Sequence, residues 1–158
     1  PISYDRLPTG RPWKPGDELA TRYVDEEITP LFPFGFGLSY TGFAVTPPEM
    51  ARDRVKLGET LAVSTTVTNT GTRRGRESVQ LYVHDLLASR SRPRRELKAF
   101  AMIDLAPGES RRVTLEVPVA DLGFHDDQGR YRVEPGRFEV FVGPHSDTEN
   151  RADFTVVE

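Results

Sequence analysis

The chain holds few residues in arrangements that chemistry would need. A nucleophilic triad requires a Ser or Cys with a His base in reach. There is no cysteine, and the three histidines, His84, His125 and His145, stand far apart. Ser39 lies in Gly37-Leu38-Ser39-Tyr40-Thr41, which lacks the second glycine of a nucleophile elbow. Glycoside hydrolysis needs two carboxylates about 5 to 9.5 Å apart across a sugar. Asp25-Glu26-Glu27 and Asp126-Asp127 offer adjacent carboxylates, but 24 acidic residues produce such neighbours by chance. Asp126-Asp127 also precedes Gln128-Gly129, so a turn accounts for it.

Cofactor and metal chemistry find no better footing. Asp147, Thr148, Glu149 and Asn150 present oxygens in a loop, without the spacing or central glycine of a calcium loop. Gly35-Phe36-Gly37 begins a dinucleotide fingerprint, yet Tyr40 stands where the third glycine belongs and no βαβ pattern follows. The expectation is therefore no catalytic residue, no metal and no cofactor. Two arginine clusters remain, Arg73-Arg74-Gly75-Arg76 and the set Arg90, Arg92, Arg94 and Arg95. Guanidinium groups pair bidentately with carboxylate or phosphate, so the second set, in a long loop, is a candidate domain contact.

Aromatic residues are the other resource. Pro30-Leu31-Phe32-Pro33-Phe34-Gly35-Phe36-Gly37-Leu38-Ser39-Tyr40 is too broken by proline and glycine for an ordinary strand or helix. Its side chains suit an anchor between two bodies, carried by Phe32, Phe34, Gly35, Phe36, Gly37, Leu38 and Tyr40. Tyr82, Phe141 and Trp13 are candidate stacking platforms for a sugar, the first two on the polar faces of their strands.

These residues need elements to hold them. Leu61, Val63, Thr65 and Val67 alternate with Ala62, Ser64 and Thr66, and Val79, Leu81 and Val83 with Gln80, Tyr82 and His84. Period two is the mark of a half-buried strand, and the two segments are expected to pair as neighbours. Further strands are expected over Phe43–Val45, Leu97–Leu105, around Val113–Val117, near Tyr131–Val133, over Phe138–Val142 and around Phe154–Val156. Asn69-Thr70-Gly71, Ala106-Pro107-Gly108-Glu109 and Glu134-Pro135-Gly136 supply turns between them. About eight short strands without a convincing amphipathic helix predict an antiparallel β-sandwich.

The 158 residues suffice for one main domain. Net charge is −3, which argues against a nucleic-acid partner, and no apolar run is long enough for a membrane span. Residues 1–29, rich in proline, read as an extended connector, and the start at Pro1 without Met suggests a piece of something longer.

Taken in order, Pro33-Phe34-Gly35-Phe36-Gly37-Leu38-Ser39-Tyr40, Val67-Thr68-Asn69-Thr70-Gly71, Val79-Gln80-Leu81-Tyr82-Val83, Arg92-Pro93 with Glu96-Leu97-Lys98-Ala99-Phe100, Leu105-Ala106-Pro107-Gly108-Glu109 and Glu134-Pro135-Gly136 resemble the C-terminal part of family 3 glycoside hydrolases. Ala99 departs from the glycine common there. The resemblance implies an all-β, fibronectin type III-like (immunoglobulin-like) antiparallel β-sandwich over 43–158, with an extended N-terminal segment. Residues 1–29 would be the end of a preceding α/β sandwich domain and a linker, and 30–42 the interdomain anchor. Thr9-Gly10-Arg11-Pro12 and Thr21-Arg22-Tyr23 with Asp25 look most like periplasmic bacterial β-glucosidases.

In that family an Asp and a Glu of the earlier domains carry out retaining hydrolysis, and no position here matches either motif. The implied function is a non-catalytic module of a β-glucosidase-like enzyme that stabilises the catalytic domains. Its partners are the upstream catalytic domains of the same polypeptide, and the parent would act on a β-glucoside or oligosaccharide. The loop from Leu86 to Arg95 is a candidate for shaping the substrate entrance. A periplasmic or secreted location follows from the resemblance. The alternative is a carbohydrate- or polyanion-binding module.

Overall fold

The computed structural model of the protein describes Tyr4 and residues 30–158. Two antiparallel sheets face each other across one apolar core. In the first, β4 (Thr60–Asn69) is central. It pairs on one side with β1 (Phe43–Val45) and β2 (Glu49–Met50), and on the other with β7 (Ser110–Pro118). The second sheet runs β3 (Arg54–Lys56), β11 (Arg151–Val157), β10 (Gly136–Gly143), β5 (Gly75–Asp85) and β6 (Glu96–Leu105). Only β3 and β11 pair in parallel. The 3-10 turn Val119–Leu122 and the hairpin of β8 (Phe124–His125) with β9 (Tyr131–Arg132) close one end.

Alternation decides which side chains enter the core. Along β4, Leu61, Val63, Thr65 and Val67 are buried while Ala62, Ser64 and Thr66 are not. Across from them lie Val79, Leu81, Val83, Val140, Val142, Phe154 and Val156 of the second sheet. Phe138 and Phe154, cross-strand partners, stack with centroids 5.3 Å apart. The eight expected strands form, the short β2, β3 and β8 are added to them, and the fold is all-β with no α-helix among the described residues.

One pairing is corrected. The segments 61–67 and 79–83 are not neighbours: β4 and β5 belong to opposite sheets and meet only through the core. The bend comes at Asn69, whose side chain holds the connection. Its Nδ2 donates to the Arg73 and Leu105 carbonyls at 2.7 and 2.9 Å, and its Oδ1 accepts from the Gly71 N–H and the Thr41 hydroxyl. A short loop fixed this way sends the chain across to the second sheet instead of back along the first.

The turn expected at Ala106-Pro107-Gly108-Glu109 forms, whereas Glu134-Pro135-Gly136 makes no turn and leads straight into β10. The Glu109 N–H donates to the Ala106 carbonyl at 3.0 Å, with Gly108 at φ 73°, as a turn with Pro at its second position and Gly at its third requires. Asp126 closes the turn to Arg130, accepting backbone N–H groups of Gln128 and Arg130. The Arg130 backbone bond is the main reason its carboxyl titrates below the ordinary Asp value. A shift in register between Leu81 and Tyr82 places an extra residue, Lys98, in β6, a bulge on an edge strand.

Candidate docking surface

The strands nearest the aromatic segment depart from simple alternation. On β5, Val79, Gln80, Leu81, Tyr82 and Val83 are all buried, so both faces of the strand are covered. One face is the core. On the other lies the chain's own stretch 33–39. Pro33-Phe34-Gly35-Phe36 makes a β-turn in which the Phe36 N–H donates to the Pro33 carbonyl at 3.0 Å, with Gly35 at φ 80°.

Gly35 is fixed by two independent demands. Its φ belongs to the left-handed region, and a Cβ there would come within 2.8 Å of the Gln80 Cδ and nearer still to Oε1. The close approach lets the Gln80 amide reach both flanking backbones. Its Nε2 donates to the Gly35 carbonyl at 3.1 Å and to the Pro144 carbonyl at 2.6 Å, while Oε1 accepts the Tyr82 hydroxyl. The Phe34 carbonyl accepts the Ser146 N–H at 2.9 Å, tying the same turn to the β10–β11 connection. Further along, the Ser39 hydroxyl lies 3.0 Å from the Arg76 carbonyl and 2.8 Å from Glu77 Oε2. The segment therefore runs along the outer face of β5, pinned at Gly35 and Ser39.

Rings seal this contact. Tyr4 stacks on Phe34 with centroids 4.1 Å apart and meets Tyr82 edge-on at 6.0 Å. The Arg95 guanidinium covers the Phe141 ring at 4.0 Å and donates to the Ser146 carbonyl. Tyr82 and Phe141 are 0% and 5% exposed, so the expectation that they offer faces to a sugar is overturned: the chain itself occupies those faces. Burial pushes the Tyr82 phenol up to about 12. Trp13 and the readings of residues 1–29 lie outside the described residues, Tyr4 apart.

The rest of the segment points outward. Phe32 and Phe36 stack on each other at 5.2 Å, and Phe36 leans on His145. Leu38 and Tyr40 are 90% and 93% exposed, and a Cβ on Gly37 would meet nothing within 4 Å. Two glycines that look alike in the sequence thus sit in opposite surroundings.

The arginine loop divides in the same way. Arg92 is spent inside the domain: Nη2 donates to Glu96 at 2.8 Å and approaches the Leu122 and Gly123 carbonyls at 3.3 and 3.4 Å. Its guanidinium lies 4.9 Å from the Phe124 centroid and 3.9 Å from Asp85, whose carboxyl burial pushes up. Arg95, mostly covered against Phe141, has its pKa lowered by that desolvation. Of the four, Arg90 pairs with Asp127 at the surface, and Arg94 is exposed. Ser89 holds the loop's middle to Glu134 through its N–H and hydroxyl, and Leu87, just after β5, is 83% exposed.

Asp25-Glu26-Glu27 lie outside the described residues, and each of the three histidines has a neighbour of its own. His84 Nδ1 lies 3.1 Å from Glu139, His125 packs on Tyr131, and His145 Nδ1 accepts the Asp147 N–H. The Thr148 hydroxyl donates to the Val142 carbonyl and the Asn150 amide to the Val45 carbonyl, so that loop serves the sandwich. Among the described residues no group of three or more His, Asp or Glu side chains converges as a metal site.

Two facing sheets in this strand order, one overlaid by its own connector, define a β-sandwich. Residues 77–146 match the fibronectin type III-like domain family. The chain contains a fibronectin type III-like domain and is similar to the C-terminal fifth of family 3 β-glucosidases, the resemblance its motifs carried. It is 39% identical over 99% of its length to a periplasmic β-glucosidase of Salmonella typhimurium, of which it covers 21%. A β-xylosidase of Formosa agariphila is 40% identical over 82% of the chain, and 18% of that protein is covered. A mutant β-glucosidase of Listeria innocua, solved in complex with laminaribiose, superposes with TM-score 0.93 at 36% identity, covering 99% of this chain and 22% of that one. The chain thus spans about a fifth of the length of the relatives it matches.

Sequence reasoning passed over four residues. Gln80 read as one polar residue of a strand's solvent face, although a lone Gln between Val and Leu beside a glycine-rich segment was an available signal. Tyr4 read as part of another domain's last strand. Phe100 and Met102, 64% and 55% exposed on β6, read as ordinary strand residues.

Proposed function

We propose that the chain is a non-catalytic module of a β-glucosidase-like retaining hydrolase, docked on the catalytic part of the same polypeptide through the outward half of the aromatic segment. The observation that carries this reading is the exposure of Leu38 and Tyr40 in a stretch whose neighbours at Gly35 and Ser39 are hydrogen-bonded to β5. A flexible tail could hide such side chains by collapse; a pinned one presents them. Burying each would stabilise the contact by roughly 1.5 to 3 kcal/mol. The loop 86–95, held by Arg92 and by Ser89 on Glu134 and carrying the exposed Leu87, would border the substrate entrance. The parent acts on a terminal β-glucosyl or related residue, and a periplasmic or secreted location accords with the Salmonella relative.

The test is a full-length enzyme carrying Leu38→Ser with Tyr40→Ser. Its half-life against thermal inactivation shortens about tenfold or more, while KM for an aryl β-glucoside at low temperature is unchanged. An unaltered half-life refutes the docking role. The 158-residue chain alone shows no turnover; turnover that persists through purification and disappears when an acidic residue is replaced refutes the non-catalytic assignment.

A further inference from the structure

The docking surface extends beyond the aromatic segment. Phe100 stands opposite Gln80 and Met102 opposite Ser78 in the β5–β6 ladder. Residues directly opposite in an antiparallel pair project to the same face. Gln80 projects to the outer face, where it holds Gly35, so Phe100 and Met102 project there too, one strand to the side of the pinned segment. Both are mostly exposed, at 64% and 55%. Large apolar side chains on an edge strand invite unwanted pairing unless something covers them. The Lys98 bulge and the bonds of its ammonium to Glu96 and the Asp121 carbonyl guard the β6 edge itself, but not this face.

We infer that Phe100 and Met102 form a second apolar strip of the docking surface, covered by the catalytic part of the parent polypeptide. This rests on the docking role proposed above. Two observations select that occupant. The relatives are about five times longer than this chain, so most of the polypeptide lies outside it. The stretch 33–39 runs along β5, next to this strip, and Tyr4, near the start of the sequence, stacks on Phe34 at the same face. Side chains at 31, 32, 38, 40, 100 and 102 carry no formal charge, as a buried contact between two bodies requires.

Phe100→Ser with Met102→Ser, made in the full-length enzyme and in the 158-residue chain, tests this beside the Leu38→Ser, Tyr40→Ser pair. The expected result is a thermal-inactivation half-life shortened about tenfold in the full-length enzyme, with an unchanged urea midpoint for the chain alone. An unchanged half-life overturns the inference. So does a lowered urea midpoint for the chain, which would make the strip part of the sandwich's own packing. Light scattering supplies a third arm: a dimer of the chain that these substitutions split would assign the strip to a second copy and overturn it as well. If Leu38→Ser, Tyr40→Ser shortens the half-life and the β6 pair does not, the docking reading stands and the extension alone fails.

Discussion

Replacing Gly35 by alanine separates the two glycines of the Gly-Phe-Gly stretch most sharply. At φ 80° an alanine costs about 1 to 2 kcal/mol against glycine. The new Cβ also displaces the Gln80 amide, whose three hydrogen bonds to Gly35, Pro144 and Tyr82 are buried or half-buried. Losing one such bond with its partner left unsatisfied costs about 1 to 3 kcal/mol. The sum, about 2 to 5 kcal/mol, is bounded by the free energy that holds the segment on β5, because the turn can lift off without the sandwich unfolding.

The effect is therefore read locally. The Ser146 N–H donates to the Phe34 carbonyl and exchanges when the turn lifts. A loss of about 2 to 5 kcal/mol speeds that exchange about 30- to 5,000-fold, by tenfold for each 1.36 kcal/mol. Core amides such as those of β4 keep wild-type protection. Gly37→Ala, with open space around the new methyl, leaves Ser146 exchange within a few-fold of wild type. Equal exchange in the two variants would refute the reasoning, since it would mean that Gln80 does not clamp the turn.

Two further outcomes are expected. Tyr82 has a folded pKa of about 12 against an unfolded value near 10, so the folded state keeps its proton longer. That contribution is fully present below pH 10, declines as pH rises from 10 to 12 and is lost above; urea midpoints across this window should fall more steeply for wild type than for Tyr82→Phe. A parallel slope would show that the phenol is not held neutral. Arg92→Ala should lower stability by about 1 to 3 kcal/mol by leaving Asp85 without its cation, the Leu122 and Gly123 carbonyls without their donor and Phe124 uncovered, whereas Arg94→Ala stays within about 0.5 kcal/mol, both read from denaturant unfolding. Similar losses from the two would contradict the division of the loop into inward and outward arginines.

The strands were legible because their periodicity is local: Leu61, Val63, Thr65 and Val67 need only the next two residues to declare a face. Partnership was not. Asn69 crosses the chain to the opposite sheet by bonds to Arg73 and Leu105, and nothing in an Asn-Thr-Gly triplet separates a crossing from a hairpin. The outer face of β5 failed for a related reason. Tyr82 and Gln80 alternate with Val and Leu as solvent-facing residues do, and only the arrival of Phe34 and Gly35 from 45 or more positions away turns that face inward. The arginine loop shows the same limit, since Arg92 and Arg94 are equivalent in composition and differ only in which way the backbone aims them. The family, by contrast, was readable because ordered motifs along most of the chain survive without knowledge of any contact.

The Gln80 clamp sets where this module can be cut. A graft that began at Phe43, the first strand, would carry all the ladders and the whole core, yet it would uncover Tyr82 and leave the Gln80 amide without its Gly35 acceptor. The transferable unit is the sandwich together with the stretch from Pro33, so a recombination event or a designed fusion that keeps only the strands inherits a wound on its outer face. Portability here is decided by a connector that no strand count includes.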